Sequence, residues 1–419
     1  MTLIMLFEFL IGLTDVYVAG RVGKDVQAAY GFVIQLYFMF IVIANALTVG
    51  AVSVVSRLYT SKDKDRLSEA IFSSLAATAA AGVLIAFVGI VFAPLLIKLL
   101  NIPAQLKPFC IPLVQIYSTG LLFDYLLTNC NGVLRSCDRI KVSLGIMAVV
   151  CFINIGLNIF FVFFTPLNFR GIALATASAA FIGSVASLSQ VRGLMTGIRA
   201  FSKTATRQII NIGWPMAALQ VLWQLGSIAL FLIISELPEH KVEILAALTA
   251  GLRIESAIYL PAFAFNMANA VIVGNLLGEE KREEAYRSGL VTALIGVILV
   301  TLLVAVVILN APWIASALSS NPVVARESVR YLYIAMISEP FMAWGAILGG
   351  GLSGAGDTRN VLIRVALSIW VVRIPLAYLF VVILGLSAAS VWWSMNISQF
   401  VQACLLYGWY AKRKWLVQR

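Results

Sequence analysis

The chain has 419 residues, of which 61% are hydrophobic and only 12% charged, with a mean hydropathy of +0.96. That balance excludes a water-soluble globular protein of this size and leaves a polytopic membrane protein. The net charge of +11 raises nucleic acid as a partner, but no basic face is interleaved with stacking aromatics, so none is expected.

About 20 apolar residues in a helix cross roughly 30 Å of hydrocarbon. Twelve such runs lie near residues 2–20, 27–56, 70–97, 109–133, 142–165, 171–191, 208–235, 245–277, 288–318, 331–353, 361–384 and 386–410. Unpaired backbone is too costly in lipid, and the runs are too long for barrel strands, so they read as helices. The expected fold class is an all-α polytopic membrane protein with twelve transmembrane helices. The first run lacks a basic leader and is followed by an unconvincing AGR, so it reads as a helix and not a signal peptide. Its shortness before Asp15 suggests that a few N-terminal residues are missing.

Lys and Arg fall in alternate loops. Loops after even-numbered runs, with the C-terminal tail, hold twenty of them, from Arg57, Lys62, Lys64 and Arg66 to Lys412, Arg413, Lys414 and Arg419, against eight in the other loops. The positive-inside rule then places both termini in the cytoplasm. Cys110, Cys130, Cys137, Cys151 and Cys404 show no CxxC spacing, and His240 is alone in an outer loop, so neither disulfide nor metal is inferred.

The chain repeats itself. VVSRLYTSKDKDRLSEA (54–70) resembles VIVGNLLGEEKREEA (271–285) at an offset of 218, and NGVLRSCDR (131–139) resembles GGLSGAGDT (350–358) at 219, pairing Asp138 with Asp357. Two six-helix lobes follow, 1–198 and 199–419, joined by the basic linker around Arg199 to Arg207. An even number of helices per lobe makes the repeat parallel, and the substrate path is expected between the lobes.

Charged groups inside the runs are few, and each costs about 2.5–3.5 kcal/mol when central, so each needs a cavity or a partner. In chain order they are Glu8 and Asp15, Asp124, Arg253 and Glu255, Glu339, and Arg373. Glu8 and Asp15 are seven apart and share a helix face; so do Asp124 and Asn131, and, four apart, Asn154 and Asn158. With Asn129 and with Thr176 in the sixth run, the N-terminal lobe is the richer in buried oxygen groups. Arg253 and Glu255 fall near a run's end, where local pairing at the outer interface is expected. Arg373, two residues before Pro375, has the reach to pair with a carboxylate across the bundle.

GGGLSGAGDTR (349–359) contains a literal G-x-G-x-x-G, but it ends a membrane run and does not follow a strand, so it reads as a close packing surface leading to a turn. There is no Walker A motif and no nucleophile with a base, so the chain is not expected to be an enzyme and its energy must come from an ion gradient. Burial favours the protonated form of a carboxylate and a cation favours its charged form, and carboxylate, amide and hydroxyl oxygens together suit a hard cation. No cofactor is expected beyond a coupling ion, H+ or Na+.

LTDVYVAGRVG in the first run, LRSCDR and GAGDTR after the fourth and tenth, INIGLNIFFVF in the fifth, RGIALATA opening the sixth, IGWP opening the seventh and RIPLAY in the eleventh together resemble the MATE (multidrug and toxin extrusion) family, part of a larger group that includes polysaccharide and lipid flippases. The resemblance implies a V-shaped pair of six-helix lobes that exchanges a cation inward for an organic, usually cationic, drug outward. The cation-coupling site it implies falls on Asp15, Asn131, Asn154, position 158 and Thr176. Many bacterial members carry an aspartate where this chain has Asn158, which leaves Asp15 as the sole acid of the site unless Glu8 or Asp124 substitutes. The C-lobe acids of the sodium-coupled branch match poorly, Gln220 and Gln224 standing in the seventh run, while Glu339 lies a few residues from the acid expected in the tenth. Glu8, Asp124, Glu255 and Glu339 are thus the candidate secondary acids.

The expectation is a secondary antiporter, a multi-pass monomer of the bacterial inner membrane, exporting a small organic compound by alternating access. Tyr17, Tyr37, Phe38 and Trp223 are candidates to line the path through cation–π contact. The alternative is a lipid or lipid-linked saccharide flippase, which would need several basic residues in its cavity to hold a phosphate headgroup; only Arg253 and Arg373 lie within the runs.

Overall fold

The computed structural model describes residues 1–61, 63–99, 104–237, 241–318 and 322–417; Lys62, His240 and Arg419 lie outside them. The described residues are almost entirely helical and include no strand. The first six membrane helices are α1 (Thr2–Val22), α2 (Lys24–Thr60), α3 (Lys64–Leu99), α4 (Lys107–Ser136), α5 (Ile140–Phe163) and α6 (Arg170–Arg192). Then follow α7 (Lys203–Ser235), α8 (Lys241–Gly278) and α9 (Arg282–Leu309), with a short α10 (Ala311–Leu318) after it.

The tenth span is built from two pieces, α11 (Pro322–Ala335) and α12 (Glu339–Gly354), joined by a tight turn over Met336–Ser338. The eleventh runs through α13 (Thr358–Leu367) and α14 (Ile374–Tyr378), with widened helical turns at Ser368–Arg373 and Leu379–Ile383. Pro375 has no N–H to give to the preceding turn, and a wider hydrogen-bonding turn absorbs the loss. Eleven of these helical segments are long and apolar enough to cross a membrane. The twelfth, α15 (Ala388–Ala411), has the length and no charged residue, but Ser, Asn, Gln, Trp and Tyr dilute its apolar character. The chain is thus an all-α polytopic membrane protein of two six-helix lobes.

The internal repeat reappears in helix boundaries. The ends of α2 and α8 (Thr60, Gly278), the starts of α3 and α9 (Lys64, Arg282), the ends of α4 and α12 (Ser136, Gly354) and the starts of α5 and α13 (Ile140, Thr358) are each 218 residues apart. After α4 the Arg139 N–H donates to the Leu134 carbonyl at 2.8 Å, and after α12 the Asp357 N–H donates to the Leu352 carbonyl at 2.8 Å. This is the same helix-ending turn. Its left-handed position is taken by Asp138 (φ 57°) in one copy and Gly356 (φ 80°) in the other. The structural offset is therefore 218 throughout, and the sequence pairing of Asp138 with Asp357 is one residue out of register. Aspartate tolerates the left-handed conformation well enough to stand where the other copy uses glycine.

Contacts divide the chain into two compact units, Met1–Ala217 and Ala218–Arg419. The division falls within α7, because its first turns pack backbone to backbone on α2. A Cβ at Gly50 would meet the Ile209 carbonyl at 2.1 Å, and one at Gly213 the Ala46 carbonyl at 2.4 Å. Within unit 1, Val18, Tyr30, Val33, Cys110, Leu113 and Tyr117 belong to a core around one end of α1, α2 and α4. Within unit 2 a larger core includes Ile258, Tyr331, Ile347, Val361 and Trp392.

Candidate functional site

Asp15 lies mid-helix on α1 and is 2% exposed. Four helices converge on its carboxylate. Oδ1 accepts from Asn158 Nδ2 of α5 at 2.7 Å. Oδ2 accepts from Thr176 Oγ1 of α6 at 3.0 Å, from the Tyr117 hydroxyl of α4 at 3.1 Å and from the Tyr30 hydroxyl of α2 at 3.4 Å. Asn154 closes the ring, its Nδ2 donating to Thr176 Oγ1 at 3.0 Å and its Oδ1 accepting from Asn158 Nδ2 at 3.1 Å.

A donor count defines what this arrangement can do. Both N–H groups of Asn158 are spent, one on Asp15 and one on Asn154. Its Oδ1 is buried and has no hydrogen-bond partner among the described residues, a condition that costs about 1–3 kcal/mol. Once the amide rotates, this oxygen can accept a hydrogen bond from a protonated Asp15 carboxyl, or ligate a hard cation together with Asp15, Asn154 and Thr176. Hydroxyl and amide donors hold the carboxylate in place, with no fixed positive charge bonded to it among the described residues.

Asp15, Asn154, Asn158 and Thr176 are brought together as the resemblance implies. Asn131 is not bonded to them: it stands 14 residues beyond Tyr117 on α4, about 21 Å along the axis. Its Oδ1 accepts from Ser143 Oγ at 2.9 Å and its Nδ2 contacts Met147 Sδ at 3.1 Å. Tyr30 and Tyr117 were missed by the sequence reading, since a tyrosine in an apolar run looks like core. A signal was present in the spacing, for Tyr117, Asp124 and Asn131 recur every seven residues.

The other acids fall into separate groups. Asp124 accepts from the Tyr37 hydroxyl at 2.7 Å. Glu8 lies within electrostatic reach of Arg135 and Asp124. Asn129 accepts from Ser74 at 2.9 Å. In unit 2, Glu255 accepts from the Tyr331 hydroxyl and does not pair with Arg253 among the described residues. The expected local pairing fails because α8 begins at Lys241, which places Glu255 about 21 Å along the helix and turns it toward α11. Glu339 is 4% exposed, and its Oε2 has no hydrogen-bond partner among the described residues. Arg373 donates to Ser398 Oγ at 2.8 Å, with Glu255 and Glu339 in electrostatic reach.

Of the aromatic candidates, Tyr17 accepts from Arg21, Phe38 and Trp223 are exposed, and Tyr37 belongs to the Asp124 group. Gly349, Gly351 and Gly354 lie inside α12, and a Cβ at Gly354 would meet the Ala270 carbonyl of α8 at 2.0 Å. They are packing positions and not a nucleotide loop.

The MatE family profile matches residues 1–160 and 215–379. The chain is 23% identical to the uncharacterized transporter YisQ of Bacillus subtilis, over 99% of this chain and 92% of that one. It is 21% identical to the probable multidrug resistance protein NorM of Thermotoga maritima, over 97% and 89%. A crystal structure of MATE in the straight conformation superposes with a TM-score of 0.91 at 21% identity, covering 99% of this chain and 93% of the other. A MOP superfamily transporter from Pyrococcus furiosus, whose structure is described as having a binding pocket of reverse polarity, superposes equally well at 20% identity over 100% and 94%. With the profile spanning most of both lobes, the chain belongs to the MATE family of transporters.

Proposed function

We propose that this protein is a secondary antiporter that exports an organic, cationic compound in exchange for H+ or Na+, with Asp15 as the coupling carboxylate. The observation that carries the reading is the free, buried Oδ1 of Asn158 beside a carboxylate held only by neutral donors. Such a group changes its charge when an ion arrives and loses that ion when the site opens. Names of the relatives as multidrug resistance proteins support drug export. Asn154, Asn158 and Thr176 complete the site, with Tyr30 and Tyr117 as further donors. Asn131 lies outside this ring, and Glu8, Asp124, Glu255 and Glu339 are the secondary acids of lobes 1–198 and 199–419. The coupling ion is the only ligand required besides the substrate, and no catalysis is involved. The protein works as a monomer in a bacterial inner membrane, with both termini cytoplasmic.

The test is export of ethidium from proteoliposomes under imposed pH and sodium gradients, applied separately. Asp15→Asn should abolish gradient-driven export while leaving the protein inserted and folded; normal export by that variant would overturn the reading. Vesicles that move a lipid-linked saccharide and no ethidium would favour a flippase instead.

A further inference from the structure

Three helices of unit 1 place a second polar group seven residues from the first, two turns and about 10 Å along the axis. On α1 Glu8 precedes Asp15, on α2 Tyr37 follows Tyr30, and on α4 Asp124 follows Tyr117. The Tyr30 and Tyr117 bonds to Asp15 fix the first tier, and the Tyr37 bond to Asp124 at 2.7 Å fixes the second. Since α2 and α4 run opposite to α1, all three displacements have the same sense, toward the end of α1 that the charge pattern places in the cytoplasm. The tiers touch where the rings of Tyr37 and Tyr117 lie 5.4 Å apart, centroid to centroid.

Beyond the second tier stands Arg135, 8% exposed and with no hydrogen bond or ion pair among the described residues. Glu8 and the Met1 ammonium lie within its electrostatic reach. An arginine this buried keeps its proton, so it does not compete for a proton that reaches Glu8. Asp15, Asp124, Glu8, Arg135, Tyr30, Tyr37, Tyr117, Tyr125 and the Met1 ammonium are the titratable and charged groups here. The packed helices α3, α5 and α6 carry charged residues only near their ends.

We propose that Asp124 and Glu8 form a second protonation station, through which a proton released by Asp15 passes toward the cytoplasmic end of α1. The inference rests on the reading of Asp15 as the coupling acid, with the proton as the ion. One proton leaves the Asp15 carboxyl, which becomes a carboxylate, and one arrives on Asp124. Any tyrosine hydroxyl on the way gives up its own proton as it accepts another, so no tyrosinate is left behind. The Asp124 proton then moves to Glu8 and from there to bulk water, which restores both anions.

Two measurements test this. Infrared titration of the purified protein reads protonated carboxyl groups directly. Asp15→Asn and Asp124→Asn should each remove a different component, whatever the substrate. In proteoliposomes, ethidium export driven by a pH gradient is compared with ethidium–ethidium counterflow, which needs no net proton release. For Asp124→Asn and for Glu8→Gln the driven rate should fall about a hundredfold relative to counterflow, as expected when a proton-transfer group is lost. A wild-type ratio in both variants, or an infrared difference confined to Asp15→Asn, would overturn the station and leave Asp15 standing. Loss of the Asp124 component with none from Asp15→Asn would instead sink the reading of Asp15, and with it the direction of transfer. Should wild-type vesicles move no ethidium, the infrared arm alone decides.

Discussion

Asn158 Nδ2 stands 2.7 Å from Asp15 Oδ1, so the amide occupies the place where a second acid would share the site. Replacing it by Asn158→Asp sets two carboxylates in contact, and these cannot both be charged without a cation or a proton between them. The expected outcome is a protein whose thermal stability rises more steeply with sodium, or with falling pH, than that of the wild type, by mass action on the folded state. Thermal unfolding in detergent across a sodium series and a pH series checks this. Equal slopes for variant and wild type would mean that the two side chains do not share an ion.

Asn131 offers the converse case. Its hydrogen bonds go to Ser143 and Met147, so Asn131→Leu leaves Ser143 without its acceptor and should cost about 1–3 kcal/mol of stability. Ion-dependent stabilisation should be unchanged, whereas Asp15→Asn should remove it. A shift in ion dependence for Asn131→Leu, measured by the same unfolding series, would place this residue within the site after all.

The difference between these two asparagines explains what the sequence could disclose. Face-sharing is a local property of a helix, so Asn154 with Asn158, and Glu8 with Asp15, were legible from spacing alone. Depth across helices is not local. Asn131 shares a face with Asp124 and lies two turns from it, and only the packed bundle shows that Tyr117, one interval earlier, is the α4 residue at the level of Asp15. The twelve spans were legible because lipid admits little besides helices of a set length. The broken tenth and widened eleventh spans were not, since they depend on how Pro375 and the Met336–Ser338 turn are accommodated. The repeat was found one residue out of register at Asp138, because a left-handed position is a backbone property that two different side chains satisfy.

That repeat makes an unequal pair of packing glycines. Gly132 against Thr48 and Gly350 against Asn266 are the same contact, 218 residues apart on both sides. A Cβ at Gly132 would meet a side-chain methyl, Thr48 Cγ2, at 2.6 Å, whereas one at Gly350 would meet the Asn266 backbone carbonyl at 2.2 Å. A methyl can rotate and a helix backbone must move. Gly350→Ala should therefore lower stability by about 1–3 kcal/mol, and Gly132→Ala by less. Detergent melting of the two variants side by side decides, and the reverse order would contradict the argument.

Glu255, Glu339 and Arg373 of unit 2 form one balance, two acids against one guanidinium. Among the described residues Glu339 carries an unpartnered oxygen, and Arg373 reaches both Glu339 and Glu255 electrostatically while bonding only Ser398. Removing the cation in Arg373→Met leaves two carboxylates without a counter-charge, a change that typically costs about 3–5 kcal/mol in a buried setting. Adding Glu339→Gln to that variant takes away one of the two and should recover part of the loss, a coupling that a double-mutant cycle isolates. Sodium should also stabilise Arg373→Met more than the wild type, because the ion can take the place the guanidinium gave up. Thermal unfolding of the four proteins, with and without sodium, measures each part. If the double variant melts no higher than Arg373→Met alone, the loss comes from packing of the arginine stem and not from its charge.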